Sequence, residues 1–245
     1  MRELLKTVME NAMFVAEFAM IIVGLFLVAV LIEKSAYKKR GINEKVFTTR
    51  KVAMIGMFSA IAMILMLFEM PLPFAPSFYE LDLSELPILV GSFAFGPAAG
   101  VMMEFIKILL KLLVKGTSTA FVGDLANFVI GCSFILPASV VYLFWRKKTG
   151  AVMGCITGTF ILAMFGSLFN AVYLLPAFSK LYGMPLEKIL AMGSAVNPLM
   201  REGSMFSFVL CCVVPVNLIK GIVVSVLTML IYKPLSPILK GQRTR

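Results

Sequence analysis

Three residues near the C-terminus, Pro215, Asn217 and Lys220, interrupt Met205 to Tyr232, an otherwise apolar stretch long enough to cross a bilayer. Lys220 lies about 18 Å of helix from Tyr232, near the middle of a hydrocarbon layer about 30 Å thick. A charge at that depth costs from about 2.5 to more than about 10 kcal/mol, so it faces a partner, a cavity or a ligand. Asn217 and Lys220 are three apart and share one helix face. Lysine supplies donors only, asparagine both donors and acceptors. Pro215 has no N–H, which leaves the Cys211 carbonyl without its helical donor and favours a kink beside the polar pair. This chemistry suits either a polar contact that glues helices or a polar binding site within the membrane.

A second polar group precedes it. Prolines at 71, 73 and 76 exclude a continuous helix, and Tyr79, Leu81 and Leu83 alternate with Glu80, Asp82 and Ser84 at the period of an extended segment. Such a loop can fold inward as a lid or remain a solvated acidic connector. Further polar side chains stand at Asn127, Asn170 and Asn197. Glu104, Lys107, Lys111 and Lys115 form one helical stripe that must avoid lipid, for which a structural or solvated role is favoured over substrate contact.

The elements that must position these groups are membrane helices. Of 245 residues, 60% are hydrophobic and 15% charged, which places the chain among polytopic membrane proteins rather than soluble domains. Ala12 to Ile32 is too long for the apolar core of a cleaved signal peptide and is expected as a retained first helix. Val52 to Phe68, Pro87 to Gly100, Ala98 to Lys115, Leu125 to Trp145, Ala151 to Leu175 and Met205 to Tyr232 follow as spans. Asp124 can cap the helix after the 116–124 loop. The 176–205 region is expected as a long connector with a short helix at Leu186 to Met192, and Gly56 with Ala60 makes a small-residue pair on which another helix can rest.

Fourteen of the 23 Lys and Arg fall in the 34–51 and 146–148 connectors and the tail after Tyr232. By the positive-inside rule these segments are cytoplasmic, and the N-terminus and the 79–86 loop are outside. The net charge of +10 is thereby explained by topology, without nucleic acid. Four cysteines in apolar segments, without C-x-x-C spacing and without any histidine, support neither a disulfide framework nor a metal site. No phosphate-binding glycine loop occurs, so energy for any transport must come from another subunit. No catalytic residue, metal or cofactor is expected.

Five stretches stand in order along the chain: YELDLSELP from Tyr79, FGPAAG from Phe95, KGTSTAFVGDLANF from Lys115, GMPLEKILAMGSAVNP from Gly183 and PVNLIKG from Pro215. Together they resemble the substrate-binding S components of energy-coupling factor transporters, and among them the riboflavin-specific members. The resemblance implies an all-α membrane protein, a six-helix bundle over 47–245 that binds its vitamin near the outer face. Residues 1–46, an extra transmembrane helix with a basic linker, lie outside that pattern. It further implies a transmembrane coupling protein and two cytoplasmic ATPases as partners in the cell membrane, with docking near Gly56 and Ala60. Tyr79, Glu80, Leu81, Asp82, Ser84, Asn217 and Lys220 are implied as the binding set, joined by Asn127, Asn170 and Asn197. Other vitamins, a flavin nucleotide, a membrane scaffold and an intramembrane enzyme using Glu104 or Asp124 are the competing readings.

Overall fold

The computed structural model describes residues 12–41, 46–117, 119–200 and 203–240. Arg2 and Lys6, on which the expected outward N-terminal tail rests, lie outside those residues, as do Lys45, Ser118 and Arg201. Helix α1 is Ala12–Lys39 and α2 is Thr49–Met66. A small antiparallel pair, β1 (Met70–Pro71) and β2 (Glu80–Leu81), leads into α3 (Glu85–Phe95) and α4 (Pro97–Val114). Then come α5 (Val122–Phe144), α6 (Lys148–Phe169), a π-turn at Asn170–Leu174, and α7 (Leu175–Tyr182). The chain ends in α8 (Leu186–Val196), α9 (Met205–Phe208), a second π-turn at Val209–Val213, and α10 (Val214–Lys240).

The protein is an all-helical membrane protein. Among the described residues, five helical stretches are long and apolar enough to cross a bilayer: Val15–Lys39, Thr49–Met66, Val122–Phe144, Lys148–Tyr182 and Met205–Tyr232. Helix α3 is shorter, and α4 carries Glu104 and Lys107 turned wholly inward. Six segments after an additional first helix are consistent with this order.

Helix α3 is the axle. It packs on α2, α4, α5 and α10, and Ile88, Leu89, Val90 and Phe93 are all buried, which is why so short a helix can be almost uniformly apolar. Helix α1 lies against α4 and α5 through Phe18 and Ala29. Its Glu33, fully buried, accepts from the Ala98 N–H at 3.2 Å and so caps α4; Tyr37 Oη (2.7 Å) and Lys51 Nζ (3.2 Å) complete its partners. Gly96 has φ +102°, and a Cβ there would come within 2.5 Å of that carboxylate.

Four expectations are corrected. Helix α1 runs on through the basic cluster to Lys39 rather than ending at Ile32. The first turn of α5 starts at Val122, so Asp124 lies inside the helix and pairs with Lys111 at 2.6 Å rather than capping. Residues 176–182 are not connector. The π-turn gives up the regular ladder just before Pro176, where a proline then fits near the start of α7, and the helical path continues to Tyr182. The segment expected as extended before Leu86 is only a two-residue strand, and α3 begins already at Glu85.

Candidate functional site

The last span, the hairpin and two further helices converge on one cavity. Its volume is about 160 Å³. Ala126 and Ile130 of α5, Leu174 and Phe178 beyond α6, and Val216 of α10 give it apolar walls; Phe78 and Tyr79 cover it from the hairpin. Phe78 stands 4.8 Å from the Tyr79 ring and 6.1 Å from Phe178, so aromatic faces surround the opening.

Of the ten side chains expected at a site, seven line this cavity: Tyr79, Glu80, Asp82, Asn127, Asn170, Asn217 and Lys220. The other three do not. Leu81 is buried beside its ladder partner Met70, and Ser84 Oγ accepts from Lys107 Nζ at 3.1 Å. Asn197 turns its carboxamide to the Cys211 carbonyl at 3.0 Å, the group that Pro215 deprives of a helical donor. It also reaches the Phe74 carbonyl at 3.4 Å, tying the long connector to the lid.

The polar lining falls into two kinds. Asn170 is fully used: Tyr79 Oη donates to its Oδ1 at 2.8 Å, and its Nδ2 donates to the Gly166 carbonyl at 2.8 Å. Asn127 Oδ1 and Asn217 Nδ2, by contrast, are buried without a hydrogen-bond partner among the described residues. Leaving such an atom buried and unmet costs about 1–3 kcal/mol, and both belong to side chains that line the cavity, which marks it as a place for a ligand's polar edge. Gly166 makes room for this. A Cβ there would lie 2.9 Å from Asn217 Nδ2.

Lys220 belongs to a cluster that sequence reasoning saw only in pieces. Its Nζ is 3.0 Å from Asp82 Oδ2 and 2.9 Å from Glu85 Oε2. Lys107, fully buried, lies 2.7 Å from Glu104 and 3.4 Å from Glu85. Three carboxylates therefore surround two ammonium groups on α3, α4, α10 and the residue that follows β2. Burial of this many charges is tolerable only because each faces an opposite one. Two of the three N–H directions of Lys220 are occupied by carboxylates, which leaves one for the cavity.

Glu85 was missed although it stands in the YELDLSELP stretch, three residues after Asp82, where a helix start brings both to one side. Phe178 was missed because it was placed in a connector. The hairpin is pinned by Tyr79 to Asn170 and by Asp82 to Lys220, and Asp82 is fixed in turn by the Ser84 N–H at 2.8 Å. On its outer edge Glu80 has its pKa raised, first by partial burial and then by the neighbouring Glu69, which Lys115 holds at 2.7 Å.

Gly56 and Ala60 lie exposed on α2, and a Cβ on Gly56 would meet nothing within 4 Å.

Residues 50–232 match the family described as "ECF transporter, substrate-specific component". The riboflavin transporter FmnP of Bacillus subtilis is 30% identical, over 80% of this chain and 96% of its own length. The riboflavin transporter RibU of Staphylococcus aureus is 35% identical, over 78% of this chain and 93% of its own. Among solved structures, the S component of a bacterial ECF transporter superposes with a TM-score of 0.60 at 33% identity, covering 78% of this chain and 97% of that one.

Proposed function

The chain belongs to the family of substrate-specific components of energy-coupling factor (ECF) transporters, and on that premise we propose that it captures riboflavin for uptake. The single observation that carries the reading is the aromatic-roofed cavity lined by Asn127 and Asn217, each with an unmet buried polar atom, beside Lys220. Riboflavin is a flat, mostly apolar ring system with one polar edge and a neutral polyhydroxyl chain, and such a ligand suits apolar walls with a few aimed donors and acceptors. Asn217 and Lys220 face the polar edge of the ring, Asn127 adds an acceptor, and Phe78, Tyr79 and Phe178 cover its faces. Asp82 and Asn170 hold the lid, and Leu81, Ser84 and Asn197 support these groups from behind.

Pockets for ligands of this size run to about 300–1,000 Å³. The cavity of about 160 Å³ must therefore widen on entry, and the hairpin that covers it is the element placed to move. Entry parts Tyr79 from Asn170, and the ligand meets the remaining N–H direction of Lys220, whose two carboxylates stay in place. The binding face opens outward under the positive-inside assignment, with the C-terminus cytoplasmic. The exposed Gly56 and Ala60 strip on α2 suits a transmembrane coupling subunit, and release is driven by the two ATPases that such a subunit carries. Residues 1–46 are an addition to the substrate-binding part, 47–245.

A flavin nucleotide is the nearest alternative, since Lys220 can attract a phosphate. Two carboxylates already compensate that charge, which favours the neutral vitamin. An enzyme built on Glu104 or Asp124 is disfavoured because both face lysines at 2.7 and 2.6 Å. The test is fluorescence titration of the purified protein with riboflavin, its nucleotide and thiamine. Saturable quenching of riboflavin, strongest among the three and weakened in Asn127→Leu and Asn217→Leu, is expected; no saturable binding of riboflavin overturns the reading.

A further inference from the structure

A second cavity has no part in ligand capture. Between α6 and α10 an apolar groove of about 650 Å³ opens sideways. It runs from Lys148 to Phe160 on one helix and from Leu218 to Leu230 on the other. Twelve residues of helix span about 18 Å, close to one leaflet of a hydrocarbon layer about 30 Å thick. Its floor is finished. Thr159 and Ser225 satisfy each other at 3.2 Å, so no polar atom there asks for a polar ligand.

Charge is confined to one end. Among the described residues Lys148 is the only charged one on the groove, and Arg146 and Lys147 stand exposed beside it. Neither lining helix contains an Asp or Glu anywhere along its length. Trp145, exposed at the same level, is the type of side chain that settles at a membrane interface. Basic clusters between membrane helices on this side attract anionic head groups.

We propose that this groove is a binding site for one anionic phospholipid of the leaflet next to the 146–148 connector, its acyl chain in the groove and its phosphate against Arg146, Lys147 and Lys148. The site is separate from the Gly56 and Ala60 strip, which is exposed on α2, a helix that packs on α3 and α4. It is also independent of the vitamin reading.

Trp145 is the chain's single tryptophan and reports on the mouth of the groove directly. The protein is placed in phosphatidylcholine vesicles containing a minor fraction of brominated phosphatidylglycerol or, in parallel, of brominated phosphatidylcholine, and Trp145 quenching is followed. The relative association constant is expected to favour phosphatidylglycerol by about fivefold, the effect of one basic side chain near a membrane surface. The triple change Arg146→Gln, Lys147→Gln, Lys148→Gln and the groove-filling pair Ile156→Phe, Val226→Phe should each bring the ratio close to one, with thermal unfolding confirming the fold. Equal quenching by the two lipids in the native protein overturns the proposal without recourse to any variant. A preference that survives groove filling overturns it in favour of attraction at the surface alone. Loss of quenching by both lipids in the assembled transporter assigns the face to the coupling subunit and overturns it too.

Discussion

Lys220→Met separates what the ammonium does for the fold from what it does for the ligand. In the folded protein Nζ lies 3.0 Å from Asp82 and 2.9 Å from Glu85, and both carboxylates are almost wholly buried. Removing it strands them, with Lys107 as the remaining cation, 3.4 Å from Glu85. Breaking a buried pair in this way costs about 3–5 kcal/mol. A lost hydrogen bond to the riboflavin edge costs about 1–3 kcal/mol, or roughly 5- to 150-fold in affinity. The single variant should therefore unfold more easily and bind more weakly. The double variant Lys220→Met, Glu85→Gln returns the cluster to its original excess of one negative charge. It should recover much of the stability while riboflavin affinity stays low. Flavin fluorescence titration and thermal unfolding in the same detergent supply the two readings. Recovery of both together would show that Lys220 serves the fold alone, and the account of the cavity would be wrong.

Gly166→Ala puts a Cβ 2.9 Å from Asn217 Nδ2, so it should shift that carboxamide and weaken riboflavin about tenfold, with a smaller change in unfolding temperature. Asn197→Ala frees the Cys211 carbonyl and should destabilise the protein by about 1–3 kcal/mol in thermal unfolding, whereas vitamin affinity changes less because Asn197 does not line the cavity. Glu80 binds its proton more readily in the folded hairpin than in the open chain. Its contribution to the hairpin is thus complete below the ordinary carboxylate value of 4.5 and is lost as pH rises through the raised value. Hydrogen exchange across residues 70–81 should become faster over that rise, after correction for intrinsic rates, and Glu80→Gln should remove the change.

The sequence showed most clearly what lipid forbids. A lysine at mid-membrane depth had to have a partner, and Asn217 and Lys220 do share one wall of the cavity. The freed Cys211 carbonyl was equally legible from Pro215, although its donor, Asn197, came from a connector with no fixed relation to it in sequence. Glu85 was harder to see because its pairing depends on where α3 begins, and helix starts are set by caps and packing rather than by apolar period. The run through Pro176 was misread for a related reason. A proline usually ends a helix, but a π-turn just before it lets the path continue, and nothing in composition announces such a turn. Glu33 gave no signal at all, since a lone acid at the edge of a basic cluster reads as a solvated residue.

That glutamate has a practical consequence for anyone who shortens the protein. Cutting at residue 46 deletes the acceptor of the Ala98 amide and a counter-ion of Lys51 in one stroke. The surviving fragment would carry a bare donor at the entrance of a central helix, so trimmed versions made for biochemistry should be judged as altered proteins rather than as the same one minus an appendage.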